Sequence, residues 1–355
     1  MSSIVSDLTT GSEQVAALRG MSIPSHRQAY SDRTAWIMAC LSELAYLRFT
    51  GLFSSAARKQ YFLDNLERLV DGLGEQRVDK LRHLVDVLGY DPGDERAELE
   101  KGLAVLDLTL EEVFDSDGTQ AILVSCEAFA ALAFRGTEAM SVKDIKTDAR
   151  ASVSAADTGG QIHSGFQDAF KAVEEAIQRR LDEGDLDDRP LFVTGHSLGG
   201  ALATIAAREL THAKGVAACY TFGSPRVGDE KWIWQLKTGI YRVVNAADCV
   251  TMLPPGRELI ATLAWLLGFV PGVGTPLRDW LVARYGHYLH AGDMRYLTNC
   301  PPGQYEGVHL LYAVSWFFRI KAWAIKGLPW RRFLADHSIA VYRRKLMIVA
   351  RVRNT

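Results

Sequence analysis

Apolar residues recur at helical spacing through the first third of the chain. Ser31, a favourable N-cap residue, begins a predicted helix that ends near Leu47, and residues 55–88 carry a second amphipathic helical pattern. Residues 1–30 are polar and are expected to be loosely ordered until they dock. We therefore predict that residues 1–118 form an N-terminal helical extension that packs on a core.

From about residue 120 the pattern changes to short apolar runs that alternate with amphipathic stretches. Strands are predicted at 120–126, 129–134, 191–194, 216–222 and 241–245, and a helix at 167–181. Strands that alternate with helices are typical of the α/β class with a mostly parallel sheet. We assign this core to residues 119–255.

Residues 256–335 differ from the core in composition, since they hold five of the eight Trp residues. The stretch from Leu259 to Leu277 carries no charge, but Gly and Pro residues in its second half break a helix. A buried or interfacial helix over 259–270 is therefore predicted in place of a membrane span. We interpret 256–335 as an aromatic-rich insertion or cap, and 336–355 as a segment that completes the core.

The net charge of −2 hides an asymmetry along the chain. From Arg319 to the C-terminus the charge is +9, and the preceding residues carry −11. No nucleic-acid motif accompanies this basic tail, so we expect no nucleic-acid partner. Two interpretations of the tail are open: it binds an anionic membrane surface, or it pairs with the acidic body.

The cysteines and the N-terminus exclude several further classes. The five Cys residues are scattered, odd in number and without CxxC pairs, so neither a disulfide framework nor a zinc site is expected. The N-terminus lacks a basic region followed by an apolar segment, which argues against a signal peptide. We therefore expect a cytoplasmic protein, with membrane association as the alternative.

The stretch from Gly195 to Gly200, Gly-His-Ser-Leu-Gly-Gly, joins a predicted strand to a predicted helix. A Gly-X-Ser-X-Gly sequence at such a junction holds its Ser in a strained, exposed turn and aims helix N–H groups at negative charge that develops beside it. Ser197 is therefore a candidate nucleophile. The alternative is a Gly-rich turn without chemistry.

A Ser hydroxyl needs a His that takes its proton and a carboxylate that holds the His, and with this type of turn both follow the Ser in the chain. Asp248 lies directly beyond an apolar strand and is the preferred acid. Asp229, Asp279 and Asp293 are the alternatives, and a loop-capping role is expected for Asp229.

Four His residues follow Asp248, and His337 is preferred as the base because it lies in a loop before a helix-like run. His287 and His290 have the spacing of a metal-binding pair without a third ligand, so hydrogen-bonded structural roles are expected. His309 lies in an apolar run and is predicted to be a core residue. We expect neither a metal nor another cofactor.

Motifs along about residues 120–345 resemble, in order, those of the class 3 lipases, the fungal-lipase-like branch of the α/β-hydrolases. They lie at 134–137, 162–166, 195–200, 221–228, 245–255, 289–292 and 336–342. The resemblance implies an α/β-hydrolase fold, with Ser197 as nucleophile, Asp248 as the acid and His337 as the base. It further implies an oxyanion hole formed by Thr137 and the N–H group of Leu198, and it makes His163, His196 and His290 non-catalytic.

The same resemblance implies hydrolysis of lipid esters, namely acylglycerols, through an acyl-enzyme. Phospholipase A and short-chain carboxylesterase activities are alternatives within that chemistry, and a catalytically silent membrane- or partner-binding scaffold is an alternative from another class. The family's Trp-bearing lid after Thr137 has no counterpart here. The insertion is expected to serve as an acyl pocket or as a lipid-facing cover. Oligomeric state is left open.

Overall fold

The computed structural model describes residues 4–19, 29–47, 92–136, 153–156, 159–256, 260, 265, 274–315, 318–319 and 335–353. The helical pattern at 55–88, Thr137 and most of the apolar stretch 259–270 lie outside these residues.

A mostly parallel sheet forms the centre of the described chain. The described strands are β1 (Thr109–Ser116), β2 (Thr119–Ser125), β3 (Ala130–Phe134), β4 (Val153–Ala155), β5 (Gln161–His163), β6 (Leu191–His196), β7 (Val216–Phe222), β8 (Ile240–Asn245), β9 (Asp293–Leu297) and β10 (Leu310–Leu311). Eight of them form one sheet in the order β1-β2-β3-β6-β7-β8-β9-β10. β3 and β6–β9 are parallel, whereas β1, β2 and β10 run antiparallel to their neighbours. β4 and β5 form a separate antiparallel pair.

Helices cover both faces of this sheet. They are α1 (Ile4–Thr10), α2 (Ser12–Arg19), α3 (Asp32–Leu44), α4 (Pro92–Val105), α5 (Ser164–Leu181), α6 (Leu198–Glu209), α7 (Glu230–Ile233), α8 (Gly274–Tyr285) and α9 (Ile339–Arg353), with a 3-10 turn at Val250–Met252. Side chains alternate along β2, so Ile122 packs with α3 and α9, and Leu123 packs with α5 and α6. Both faces are apolar because both are covered. This is the α/β-hydrolase fold.

The N-terminal segment is more ordered than its polarity predicts. Ser31 caps α3 as expected and accepts a hydrogen bond from Thr34 N at 3.3 Å. Residues 4–19, however, form α1 and α2 and bury Leu8 and Leu18 completely or almost so. Their few apolar side chains recur at helical spacing and share the core of α3 and α9, so these residues are docked on the core.

Five of the described strands lie where none is predicted: β1, β4, β5, β9 and β10. β1 is the edge strand, and its exposed residues Thr109, Glu112 and Asp115 interrupt any continuous apolar run. β9 lies inside the aromatic-rich segment and pairs with β8, which places Arg242 opposite Met294. The sheet therefore extends beyond the predicted core boundaries at residues 119 and 255.

Ion pairs join the basic C-terminal helix to acidic residues of the N-terminal helices. Arg343, almost fully buried, pairs with Asp7 at 2.7 Å and with Glu43 at 2.6 Å. Arg344 also contacts Asp7, at 2.7 Å. A buried guanidinium is tolerated only with such partners. Part of the basic tail therefore pairs with the acidic body. Among the described residues, no helix is both long enough and apolar enough to cross a bilayer.

Candidate active site

Ser197 lies in a sharp turn between β6 and α6. Its backbone has φ 57° and ψ −126°, a conformation that costs a non-glycine residue about 1–3 kcal/mol. A Cβ atom on Gly195 would lie 2.1 Å from the carbonyl oxygen of Gly199, and one on Gly199 would lie 2.3 Å from that of Phe134. Only glycine fits at both positions, so these two glycines allow the close packing of backbone around the strained serine.

His337 connects Ser197 to Asp248. Its Nε2 lies 2.9 Å from Ser197 Oγ, and its Nδ1 lies 2.9 Å from Asp248 Oδ2. A carboxylate only accepts, so Nδ1 carries the proton and Nε2 is left to accept from the hydroxyl. The serine is 1% exposed, the histidine 5% and the aspartate 0%. The structure thus brings together the three residues that the sequence selected.

The carboxylate of Asp248 accepts two further hydrogen bonds from described residues. Tyr342 donates its hydroxyl to Oδ2 at 2.6 Å, and Val250 N donates to Oδ1 at 3.0 Å. The Tyr342 oxygen in turn accepts from Asn245 N at 3.0 Å. Burial, followed by the negative charge of Asp248, raises the pKa of Tyr342, so its hydroxyl stays protonated and donates. Sequence reasoning missed this contact, because nothing in the sequence marks one buried tyrosine as the partner of the acid.

The loop that carries His337 is held against the end of β8. Asn245 Nδ2 donates to the carbonyl oxygen of Asp336 at 2.8 Å, and Ala247 N donates to the Asp336 carboxylate at 3.2 Å. Lys345 Nζ, itself buried, donates to Asn245 Oδ1 at 2.7 Å. One network of hydrogen bonds therefore positions both Asp248, which follows β8, and His337.

His196, directly before the nucleophile, supports His337 from the other side. Its Nε2 lies 2.6 Å from the carbonyl oxygen of His337, and its Nδ1 lies 2.7 Å from Tyr46 Oη. Because a carbonyl only accepts, Nε2 is protonated, and in the neutral ring Nδ1 accepts from the tyrosine. Burial, followed by the proximity of His337, lowers the pKa of His196 and keeps it neutral. Tyr46 belongs to the N-terminal segment, and no sequence pattern connects it with the site.

Of the two residues expected to form the oxyanion hole, the structure describes Leu198 but not Thr137. Leu198 is the first residue of α6, where backbone N–H groups lack partners within the helix. Thr137 lies outside the described residues. Its neighbour Gly136 is described, and a Cβ atom there would lie 2.4 Å from the carbonyl oxygen of His196 and 3.2 Å from Ser197 Cβ. The chain thus passes directly beside the nucleophile one residue before Thr137.

The alternative acids lie away from His337 and have other surroundings. Asp229 caps α7 and accepts from Trp232 N at 2.8 Å, as expected for a loop-capping residue. Asp279 is exposed and pairs with Arg278, and Asp293 is exposed at the start of β9.

Two of the alternative histidines, His290 and His309, have surroundings that do not include Ser197. The Nε2 of His290 donates to the carbonyl oxygen of Thr251 at 2.7 Å. It thereby holds the acid loop, which we define as residues 245–255 around Asp248. His309 is exposed, and the expectation of a core residue was wrong because the short strand β10 lies at the edge of the sheet. Among the described residues, no group of three or more His, Cys, Asp or Glu side chains could hold a metal ion.

Comparison with known proteins finds one family and several relatives to which part of this chain is similar. Residues 131–258 match the family described as lipase (class 3). The secreted mono- and diacylglycerol lipase 1 of Fusarium solani is 30% identical over 190 residues, which are 51% of this chain and 54% of that protein. A lipase of Rhizomucor miehei is 38% identical over 155 residues, 41% of this chain and 35% of that one. Phospholipase A(1) DAD1, chloroplastic, of Arabidopsis thaliana is 31% identical over 118 residues, 29% and 26% respectively.

A solved structure of the Rhizomucor miehei triacylglyceride lipase is also similar, with 27% identity and a TM-score of 0.41 over 55% of this chain and 69% of that one. This chain spans about half the length of the Fusarium relative, and smaller shares of the other two curated relatives.

Proposed function

We propose that the protein is a class 3 lipase, a serine hydrolase that cleaves the carboxylic esters of acylglycerols; the match of residues 131–258 to that family supports this. The observation that carries the proposal is His337, which lies 2.9 Å from both Ser197 Oγ and Asp248 Oδ2. A buried His between a strained Ser and a buried carboxylate is the arrangement that activates a hydroxyl for acyl transfer. A silent scaffold would have no need of it.

In the first half-reaction the Ser197 oxygen attacks the ester carbonyl carbon while His337 Nε2 takes the hydroxyl proton. Asp248 stabilises the imidazolium that forms. The tetrahedral oxyanion is bound by the N–H of Leu198 and by Thr137, and one such donor contributes about 10²–10³ in rate. His337 then gives its proton to the alkoxide oxygen, the carbon–oxygen bond to the alcohol breaks, and the acyl group stays on Ser197.

In the second half-reaction water replaces the alcohol. His337 removes a proton from the water, whose oxygen attacks the acyl carbon. The second tetrahedral intermediate collapses with return of the proton to Ser197 and release of the fatty acid. Each step uses the same three groups, so the loss of any one of them affects both half-reactions.

The substrate class is drawn from the relatives' names. Two of the three named relatives are lipases, one of them a mono- and diacylglycerol lipase, which favours acylglycerols. The third is a phospholipase A(1), so phospholipid hydrolysis is the second candidate. A short-chain carboxylesterase would share the mechanism. The name of the Fusarium relative includes "secreted", which gives the cytoplasmic expectation no support.

We further propose that the enzyme meets its substrate at a lipid surface. Trp280 and Leu277 on α8 are 55% and 40% exposed, and Trp234 is 79% exposed. Trp favours the boundary between headgroups and acyl chains, and exposed apolar side chains of this size are typical of interaction surfaces. Arg343 and Arg344 pair with Asp7, and Lys345 is buried, so these basic residues are not free to bind anionic lipid. The apolar contribution is therefore expected to dominate.

Labelling and substrate hydrolysis test these proposals together. A fluorophosphonate probe should label the wild type on Ser197 and should not label Ser197→Ala. Triacylglycerol and phosphatidylcholine series of matched chain length, each assayed below and above their solubility, then rank the substrates. An acylglycerol preference that rises above solubility supports the main proposal. A folded protein that neither reacts with the probe nor hydrolyses either series would overturn it.

A further inference from the structure

A cavity of about 370 Å³ lies beside the loop that carries the catalytic acid. Its lining includes three arginines, Arg226, Arg242 and Arg319, together with His290, Met252 and Gly256. Among the lining residues that the structure describes there is no carboxylate. Three guanidinium groups therefore line one cavity, and the Asp248 carboxylate lies close enough to Arg319 to interact with its charge.

Two of these arginines, Arg226 and Arg319, are hydrogen-bonded to the acid loop. Arg319 Nη2 donates to the carbonyl oxygen of Asp248 at 3.2 Å and also to Thr251 Oγ1. Arg226 Nη1 donates to the carbonyl oxygens of Met252 and Pro254, at 2.6 and 2.7 Å. These bonds fix the positions of two guanidinium groups at the cavity wall and explain why they are there.

Arg242 has no such explanation. It lies on β8 and is 7% exposed, yet neither its Nε nor its Nη1 has a hydrogen-bond partner among the described residues. Within the same part of the chain, the Nε of Arg319, which is 4% exposed, also has none. A buried donor without an acceptor is costly, and a buried cation without a counter-charge is more so. Burial, followed by the charges of Arg319 and Arg226, lowers the pKa of Arg242 to about 9, so the group is still a cation at neutral pH.

The unmet donors of Arg242 and Arg319 and the buried positive charge of Arg242 have a common chemical solution. We propose that Arg226, Arg242 and Arg319 form a binding site for a phosphate group, either free phosphate or the phosphomonoester headgroup of a lipid. A phosphate offers three or four acceptor oxygens and up to two negative charges, and guanidinium groups bind it through paired N–H donors. Chloride is also an anion, but it is a single atom and cannot accept hydrogen bonds from several N–H groups that point in different directions.

The dimensions of the cavity agree with this ligand class. Each water molecule takes up about 30 Å³ in the liquid, so 370 Å³ admits a phosphate with several waters or a glycerol phosphate. Ser315 at the lining is exposed, and Met294 and Val314 are half-buried, which leaves a route from solvent. The site is separate from the proposed hydrolysis, since its arginines contact the acid loop through backbone atoms and Thr251.

The test measures binding to the full chain by its thermal unfolding in a phosphate-free buffer at constant ionic strength. Three probes are titrated: inorganic phosphate, glycerol 3-phosphate, and dihexanoyl phosphatidic acid below its critical micelle concentration. At about 100 times the Kd, a ligand of the folded state should raise Tm by about 5 °C. Binding by the two soluble anions alone assigns the site to free phosphates, and tighter binding of the phosphatidic acid assigns it to a lipid headgroup.

Variants show whether the response comes from this cavity. Arg242→Met should lose the Tm response, and Arg242→Lys, which keeps the charge but not the fork of donors, should weaken binding by about tenfold. Arg179→Met, on an exposed arginine that pairs with Glu175, is the matched control and should respond like the wild type. Ser197→Ala should also respond fully, which separates this proposal from that of hydrolysis.

A purely structural Arg242 gives a different pattern. Arg242→Met would then lower Tm in the absence of any anion, and the response to phosphate would persist in that variant. Either that pattern, or no response of the wild type to all three probes, overturns the proposal.

Discussion

Tyr342 donates its hydroxyl to the same oxygen of Asp248 that His337 contacts, at 2.6 Å against 2.9 Å for the histidine. The phenol and the imidazole thus share one carboxylate oxygen, and Val250 N holds the other. Tyr342 lies in the first turn of α9, shortly after His337. The helix that follows the base therefore also holds the acid in place.

Tyr342→Phe removes the brace without changing the shape of the core. We expect kcat to fall by about tenfold with little change in KM, because the acid is left less fixed while substrate contacts stay intact. The free energy of unfolding should fall by about 1–3 kcal/mol, since Asn245 N loses its buried acceptor. Steady-state kinetics and chemical denaturation measure both effects. Tyr312→Phe, on an exposed tyrosine, is the control, and equal kinetics for the two variants would contradict the bracing role.

Ser197→Ala and His337→Ala should each abolish turnover, by a factor on the order of 10⁴–10⁶ as in other serine hydrolases. The double variant should be little worse than either single one, because the residues act as one unit. Rates of ester hydrolysis with matched protein samples decide this. Losses that multiply would mean that the two side chains work independently.

His290→Ala is the matched control for the base. It removes a half-buried histidine that contacts the acid loop through Thr251 O and does not touch Ser197. Stability should fall while most of the turnover persists. An inactive His290→Ala beside an active His337→Ala would reverse the assignment of the base.

Tyr46→Phe tests the support that the N-terminal segment gives to the site. The change leaves His196 Nδ1 without its tyrosine donor and loosens the hold on the His337 carbonyl. We expect a several-fold loss of kcat. In a double-mutant cycle with His196→Gln the two losses should not add, because both act through one chain of hydrogen bonds. Additive losses would show that Tyr46 acts by another route.

Stability should decline in mild acid because of two buried histidines. Burial, followed by neighbouring positive groups, lowers the pKa of His196 and of His290 well below the ordinary 6.5. Below about pH 6.5 the unfolded chain therefore binds protons that the folded chain refuses, and each histidine removes up to about 1.4 kcal/mol per pH unit as the pH falls toward its folded-state pKa. Above pH 6.5 the effect is absent.

Unfolding at pH 7.5 and pH 5.5 measures this slope. His290→Gln should reduce the acid-induced loss by up to half relative to the wild type. His309→Gln, on an exposed histidine, should leave the slope unchanged. A wild type equally stable at both pH values would contradict the neutral state of the buried rings.

The local elements could be predicted from the sequence because their causes lie within a few residues. The Ser31 cap, the run of β7 and the turn at Ser197 depend on neighbours, and Gly195 is required by contacts inside the turn itself. The choice of Ser197, Asp248 and His337 also follows from chain order together with a family resemblance.

The tertiary structure alone decided which distant residues meet. His337 reaches Ser197 across 140 residues because its loop is held at the end of β8, and Tyr46 reaches His196 across 150 residues because α3 packs on β6. β1 and β9 could not be predicted, since an edge strand and a short strand in an aromatic segment lack a long apolar run. The convergence of Arg226, Arg242 and Arg319 has no sequence pattern either: like charges meet there only because β8, the acid loop and residue 319 are packed around one cavity.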